Sequence, residues 1–109
     1  MFEVLHDREK DVIWLGGKNG GGLNKFEKHT ERFTHYTHDP EDPASLSHDS
    51  VAAIYQDRSG TLWIGTKGGG LNRFDPVNEL FTRYAYQYDI PADVNGILED
   101  DTGRLWLST

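Results

Sequence analysis

The three tryptophans of this chain belong to an internal repeat, which restricts the possible folds more than any other feature. IWLGGKNGGGLNKF (Ile13–Phe26) matches LWIGTKGGGLNRF (Leu62–Phe74) with one inserted residue. Trp14 and Trp63 are 49 residues apart, and Trp63 and Trp106 are 43 residues apart. Because repeats of about 40–50 residues are typical of β-propeller blades, this spacing favours a propeller.

Each repeat contains short segments of strand-forming residues separated by turn-forming residues. In the middle repeat we predict four strands, at Val51–Gln56, Leu62–Thr66, Leu71–Phe74 and Phe81–Tyr84. The segments between them, DRSG, KGG and DPVNE, contain the Gly, Pro, Asp and Asn residues that favour turns. No segment has a sustained apolar period of about 3.6 residues, so helix is at most a minor component. The repeat therefore predicts an all-β fold of β-propeller blades, each a four-stranded antiparallel meander.

The repeats divide the chain into two blades and part of a third. VNGILEDDTGRLWLST, at the end of the chain, aligns without gaps with VAAIYQDRSGTLWIGT of the middle repeat. We predict a first blade at 1–37, a linker at 38–49, a second blade at 50–86, a linker at 87–93, and the first two strands of a truncated third blade at 94–109. Because closed propellers have about 4–8 blades, these two and a half blades make an incomplete propeller. We expect either a fragment that other blades of a parent chain complete, or a ring closed by self-association.

The glycine-rich stretch could instead be a phosphate-binding loop, so the two alternatives must be compared. A loop of the Walker type has its lysine after the glycines and leads into a helix. Here Lys67 precedes the glycines, and the predicted strand Leu71–Phe74 follows them. The stretch also occurs twice, at Gly20–Gly22 and Gly68–Gly70. We therefore predict a structural turn, and no cofactor.

An Asp–Gly–Trp pattern recurs where the first strand of a repeat turns into the second. It resembles the aspartate box of sialidase propellers, which is structural in those enzymes too, although the spacing differs by about one residue. Repetition within one chain favours a role in the scaffold. The first repeat has HDREKDVIW where the second has QDRSGTLW, so we expect a looser turn there. The predicted structural positions are Trp14, Asp57, Gly60, Trp63, Gly69, Gly70, Asp100, Gly103 and Trp106.

Composition and charge argue against several kinds of partner. The formal net charge of −7 argues against nucleic acid, because neutralising phosphates requires a basic surface. No apolar run approaches the roughly 20 residues of a membrane helix, so we predict no membrane segment in this chain. His6, His29 and His48 are scattered, and we expect His35 and His38, three apart on a strand, to face opposite sides. We predict no metal site.

SVAAIYQDRSGTLWIGTKGGGLNRFDP, followed by FTRY, resembles the two-component regulator propeller repeat. YTHDPEDPASLSHDSV (Tyr36–Val51) resembles the inter-blade segment of the same family, and together these motifs cover nearly the whole chain. The resemblance implies the extracytoplasmic, periplasmic sensor region of a bacterial membrane receptor. Many such receptors are hybrid histidine kinases, and they often respond to glycans. It therefore implies a sensor fragment that recognises a ligand and transmits a signal, with no catalysis in this chain.

The strand order of a meander places the inter-blade linkers and the turns between second and third strands on one face of the propeller. Small ligands of propellers usually bind on this face, an analogy drawn from the fold alone. Tyr86 and Tyr88, together with hydrogen-bonding side chains, would suit an oligosaccharide or another small ligand. The predicted ligand-binding residues are Lys18, Asn19, His48, Asp49 and Lys67.

Two other functions remain open from the sequence. A propeller-type lyase or glycoside hydrolase would need a non-repeated cluster of acid and base residues near the central channel. A protein-interaction scaffold would need only the blades and a way for several chains to close a ring.

Overall fold

The computed structural model describes residues 2–7, 10–17, 19–84 and 90–109. These residues form ten β-strands and include no helix. The strands are β1 (Phe2–His6), β2 (Val12–Gly17), β3 (Gly22–Glu27), β4 (Arg32–Tyr36), β5 (Val51–Gln56), β6 (Leu62–Thr66), β7 (Leu71–Asp75), β8 (Leu80–Tyr84), β9 (Gly96–Glu99) and β10 (Leu105–Ser108).

The strands form two four-stranded sheets and one hairpin. The first blade has the strand order β1-β2-β3-β4 and the second blade has the order β5-β6-β7-β8, with all neighbouring strands antiparallel. β9 and β10 form an antiparallel pair, which is the hairpin of the third unit. β5 packs against β1, β2 and β9, so the first strands of consecutive units are neighbours. This arrangement confirms the predicted fold class, an all-β incomplete propeller of four-stranded meanders.

The strands predicted for the middle repeat are confirmed with small changes at their ends. The first two have the predicted bounds, whereas the third also includes Asp75 and the fourth also includes Leu80. Asp75 and Leu80 face each other across the β7–β8 pair. Their pairing removes Asp75 from the predicted DPVNE turn, which is shorter by one residue at its start.

The hydrophobic core lies between the two blades. Trp14 of β2 is 4% exposed, and its ring lies 5.1 Å from that of Phe74 on β7. Tyr36 of the first blade meets Phe74 and Phe81 of the second edge-on, at 5.3 and 5.6 Å. Because burying one large apolar side chain contributes roughly 1.5–3 kcal/mol, this aromatic cluster holds the two blades together.

The three repeat tryptophans are buried to a decreasing extent along the chain. Trp14 is covered by the second blade, Trp63 is half-buried, and Trp106 is 57% exposed. Leu62 and Ile64 belong to the core around Trp14, so the alternation of a strand places Trp63 on the opposite face of the second blade. Burial of this tryptophan position therefore depends on the unit that follows it in the chain.

Candidate ligand-binding face

The segment between the blades is fixed on the second blade by polar side chains of β7 and β8. The amide oxygen of Asn72 on β7 accepts a hydrogen bond from the Ser47 backbone N–H at 3.1 Å, and its amide nitrogen donates to Ser47 Oγ at 2.8 Å. Arg83 of β8 donates to the carbonyl oxygens of Ser45 and Asp42, each at 3.0 Å. Asn72 and the neighbouring Leu46 are both fully buried. The linker therefore forms a fixed part of the face on which the ligand residues are predicted.

The glycine turn between β6 and β7 lies against the linkers that precede and follow the second blade. The N–H groups of Gly68 and Gly70 both donate to the Ala92 carbonyl oxygen, at 3.0 and 2.8 Å. The Gly69 N–H donates to Thr66 Oγ1 at 3.1 Å. A Cβ added to Gly69 would lie 2.5 Å from Ser47 Oγ, so this position requires glycine. The three glycine N–H groups all have partners within the fold, and a strand follows them, so the turn does not have the geometry of a phosphate loop.

Two of the predicted ligand residues lie in the linker, where the backbone meets the glycine turns. The ring of His48 lies beside Gly68, and its Nδ1 accepts a hydrogen bond from the Ser50 N–H at 3.0 Å. Asp49 Oδ1 accepts from the His38 N–H at 2.6 Å, and the Asp49 carbonyl oxygen accepts from the Gly22 N–H at 2.7 Å. His48 is exposed, whereas Asp49 is half-buried and already engaged in holding the linker on the first blade.

The remaining predicted ligand residues lie in the turns themselves. The Lys67 N–H donates to the Ser50 carbonyl oxygen at 2.9 Å, and Lys67 forms an isolated bridge with Asp93. Its side chain is exposed, as is that of Asn19 in the turn between β2 and β3. The structure thus brings His48 and Lys67 to the two sides of Ser50, and Asn19 to the corresponding turn of the first blade. Lys18, Tyr86 and Tyr88, which the sequence also proposes, lie outside the described residues.

A groove of about 850 Å³ lies between the two blades, at the opposite end of the strands. Its apolar wall includes Trp14, Phe74 and Phe81, and its polar wall includes Lys25 and Glu27. None of the described ligand-binding candidates lines it. Sequence reasoning missed this groove because its walls come from strands that are distant in the chain and meet only when the blades stack.

Lys25 forms ion pairs with two glutamates beside this groove. Lys25 Nζ lies 3.4 Å from Glu27, 3.5 Å from Glu79 and 6.0 Å from the centre of the Trp14 ring. The Tyr36 hydroxyl donates to Glu79 at 2.5 Å. Burial, followed by this hydrogen bond, raises the pKa of Tyr36, and the same bond, with the charge of Lys25, lowers the pKa of Glu79. This arrangement favours a bound tyrosine proton and an ionised glutamate.

The Asp57 carboxylate organises the turn between β5 and β6. Its Oδ1 accepts from the backbone N–H groups of Ser59 and Thr61 at 3.0 and 2.9 Å, and its Oδ2 accepts from Trp63 Nε1 at 2.9 Å. Gly60 completes the turn with φ of 91°. Burial opposes ionisation, but hydrogen bonds from Trp63 and Ser59 outweigh it and lower the pKa of Asp57. The carboxylate is thus committed to the scaffold.

The turn between β9 and β10 repeats this geometry. Asp100 Oδ1 accepts from the N–H groups of Thr102 and Arg104 at 2.9 and 3.0 Å, and Oδ2 accepts from Trp106 Nε1 at 2.9 Å. The φ of Gly103 is 87°. The Thr102 hydroxyl and the Trp106 indole lower the pKa of Asp100 by hydrogen bonding. The same hydrogen bonds in two units identify a structural element of the repeat.

The turn between β1 and β2 of the first blade is one residue longer than the corresponding turn of the second blade. The Asp7 N–H donates to the Val12 carbonyl oxygen, whereas the Asp57 N–H donates to that of Thr61. The added residue separates Asp7 from Trp14, whose buried Nε1 has no hydrogen-bond partner among the described residues. The extra residue in HDREKDVIW therefore removes the Asp–Trp bond that the other two units contain.

The histidine pair is arranged differently from the sequence prediction. β4 ends at Tyr36, so His38 lies in the linker and the alternation of a strand does not apply to it. The His35 ring contacts the Gly21 carbonyl oxygen at 3.0 Å, and the His38 ring contacts that of Leu46 at 2.9 Å. In the described ranges, no three His, Asp or Glu side chains converge as metal ligands would.

Comparison with known proteins identifies the repeat. Residues 45–68 match the family model described as two component regulator propeller. These residues are similar to a two-component regulator propeller repeat. The match spans the end of the linker, β5, β6 and the start of the glycine turn, and it confirms the resemblance seen in the sequence. None of the curated proteins matches the chain.

Solved structures extend the comparison to nearly the whole chain. The chain is 27% identical over 97% of its length to the extracellular domain of a hybrid two component system from B. thetaiotaomicron, with a TM-score of 0.88. A second such domain from this organism is 28% identical over 99% of the chain, with a TM-score of 0.79. A third, the extracellular domain of a one component system, is 31% identical over 99%, also at 0.79.

The chain spans 15% of the length of each of these structures. It therefore resembles a small part of extracellular sensor domains of two-component systems. Across the part of the chain that the structure describes, no helix is long and apolar enough to cross a membrane.

Proposed function

We propose that this chain is part of the extracytoplasmic, periplasmic sensor propeller of a bacterial two-component signalling receptor. In this role it contributes to recognising a ligand such as a glycan and to transmitting the signal, without catalysis in these residues. The observation that carries the proposal is the similarity, at 27–31% identity, to extracellular domains of two-component and one-component systems. The family match at residues 45–68 supports the same class of protein.

The proposed binding surface within this chain is formed by the linker at 38–49 and by the turns between the second and third strands of each blade. We call this surface the linker face. Its backbone is fixed by Asn72 and Arg83, so exposed side chains on it have a rigid support. The glycine N–H groups are used within the fold, so recognition depends on side chains. His48, Lys67 and Asn19 are exposed there and can each hydrogen-bond to sugar hydroxyls.

The proposal is tested by titrating a panel of oligosaccharides into the protein by calorimetry. The Ala variants of Asn19, His48 and Lys67 each weaken binding about tenfold, the usual effect of losing one good hydrogen bond. Val77→Ala is the matched control, because Val77 is 86% exposed in the turn between β7 and β8, at the opposite end of the strands. Equal loss in the control variant, or unchanged affinity in all three site variants, contradicts the assignment of this face.

A turnover assay and sedimentation separate the alternative functions. Turnover of an oligosaccharide supports a propeller-type lyase or glycoside hydrolase and contradicts a sensor without catalysis. A defined closed oligomer in sedimentation supports a self-assembling interaction scaffold.

A further inference from the structure

The junction between the two blades contains a polar contact in addition to its aromatic core. Tyr36 and Lys25 of the first blade both reach Glu79 Oε1 in the turn between β7 and β8 of the second, at 2.5 and 3.5 Å. We call these three side chains the junction clasp. Because a carboxylate is the acceptor for a hydroxyl and an ammonium group, both contacts are charge-assisted.

The backbone of Glu79 has an unusual conformation that recurs once in the other blade. Its φ is 56°, and Glu31 has φ of 55°; these are the two non-glycine residues with positive φ in the described ranges. LNKFEKHTERFTHY (23–36) aligns without gaps with LNRFDPVNELFTRY (71–84), which makes Glu31 the counterpart of Glu79. Positive φ is uncommon outside glycine, so its recurrence at one aligned glutamate shows that the two turns share a backbone conformation and hold Glu31 and Glu79 at equivalent positions.

The apolar residues near Glu31 correspond to those that the first blade covers in the junction. Phe26 and Phe33 pack against each other at 4.7 Å, as Phe74 and Phe81 do at 5.1 Å. Phe74 and Phe81 are buried at 4% and 5% exposure, whereas Phe33 is 64% exposed. The strand register places Val4, which is 60% exposed, on this same open face of the first blade.

We propose that Glu31 and the Phe26–Phe33 pair are the acceptor half of a second junction clasp. The occupant is a preceding blade of the same polypeptide. That blade presents a tryptophan on its second strand, a lysine or arginine on its third and a tyrosine at the end of its fourth. The occupied junction supplies the argument, because Trp14, Lys25 and Tyr36 cover the equivalent face of the second blade. This inference does not rest on ligand recognition by the linker face.

The middle repeat contains such a donor set, which makes a direct test possible. Trp63, Arg73 and Tyr84 align with Trp14, Lys25 and Tyr36. The first residue of the chain aligns with Val51, so a copy of residues 50–93 placed before it preserves the repeat spacing. In this tandem, the added blade presents its basic residue and tyrosine to Glu31.

The measurement is urea unfolding of the 109-residue chain and of the tandem, each with Glu31→Gln or Glu79→Gln. In the 109-residue chain, Glu79→Gln lowers the folded-to-unfolded ratio about fivefold or more, and Glu31→Gln leaves it unchanged. In the tandem, Glu31→Gln has an effect similar to Glu79→Gln. Tyr84→Phe in the added blade then removes most of the effect of Glu31→Gln, as a direct contact requires.

Several results overturn the proposal. They are a neutral Glu31→Gln in a folded tandem, a tandem whose added blade unfolds separately or does not fold, and a neutral Glu79→Gln in the 109-residue chain. Sedimentation of the 109-residue chain tests the other occupant. A dimer that Phe33→Asp abolishes assigns this face to a second copy and likewise overturns the proposal.

Discussion

A methyl group added at Gly16 tests how the two blades fit together. Gly16 lies on β2, two residues after Trp14, and a side chain at this position would point toward the second blade. A Cβ at this position would lie 2.4 Å from Val51 Cγ1, 2.9 Å from Val51 Cβ and 3.3 Å from Ile54 Cδ1. Val51 is fully buried, so its side chain has no solvent-filled space into which it can rotate. Gly16→Ala therefore forces the blades apart or displaces the start of β5.

Two opposing contributions set the size of the effect. Overpacking a buried site costs about 1–3 kcal/mol. Replacing glycine at an ordinary φ by alanine contributes about 0.4–1 kcal/mol of stability, because the unfolded chain loses freedom. The φ of Gly16 is not positive, so this gain applies. We expect Gly16→Ala to lower the free energy of unfolding by about 1–2 kcal/mol, measured by urea unfolding with tryptophan fluorescence.

A double-mutant cycle identifies the cause of this loss. Val51→Ala removes the methyl group nearest to the added Cβ, so the cost of Gly16→Ala falls by about 1 kcal/mol or more in that background. Gly60→Ala is the control, because its φ of 91° makes it strained while no atom lies within 4 Å of an added Cβ. Its cost is additive with that of Val51→Ala. Additive costs for Gly16→Ala and Val51→Ala, within about 0.5 kcal/mol, would refute the proposed steric contact.

Three further measurements test other parts of the structure. Asn72→Ala leaves the Ser47 N–H without its partner and lowers the free energy of unfolding by about 1–3 kcal/mol in urea, whereas an unchanged midpoint would show that the linker does not depend on this bond. The folded-state pKa of Asp57 is lowered, so its contribution is fully present above the unfolded pKa of about 3.9 and is lost as pH falls through the folded value. The Asp57→Asn variant therefore lacks the part of the acid-induced loss of stability that comes from protonation of Asp57. An acid unfolding profile identical to wild type would contradict the hydrogen bonds assigned to Asp57. Shortening the first turn from DREKDVIW to DRSGVIW restores the Asp–Trp spacing of the other units, so that Trp14 Nε1 can donate to the aspartate. We expect the free energy of unfolding in urea to rise by about 0.5–1.5 kcal/mol, and no increase would contradict this bond.

The strand ends and turns were predictable because their information is local in the sequence. The turn residues of DRSG and KGG, and the β-forming residues of LWIGT, fix the strand ends within one residue. The lysine before the glycines likewise argues against a phosphate loop, in agreement with the Ala92 contacts of the turn. Each of these conclusions depends on residues within a few positions of one another.

The contacts between blades were not predictable in the same way. Tyr36 and Glu79 are 43 residues apart and neither is unusual in the sequence. The pairing becomes visible only when the first blade stacks on the second. The contact of Asp49 shows the same limit: its place in the linker predicted a ligand-binding residue, but not that its carboxylate accepts a hydrogen bond from the His38 N–H. Whether the face also binds a ligand stays a prediction.

The direction of stacking constrains how this chain can assemble. The face of the first blade that carries Trp14 packs against the face of the second blade that carries Phe74. We call these the tryptophan side and the phenylalanine side of a blade. The two surfaces of a junction therefore differ. An interface between unlike surfaces is heterologous, and it repeats until the rotation closes a ring. The first blade leaves a phenylalanine side open, with Phe33 64% exposed, while Trp106 is 57% exposed in the last unit. Any partner that completes this array, whether a blade of the parent chain or another copy, must therefore match a phenylalanine side at one end and a tryptophan side at the other.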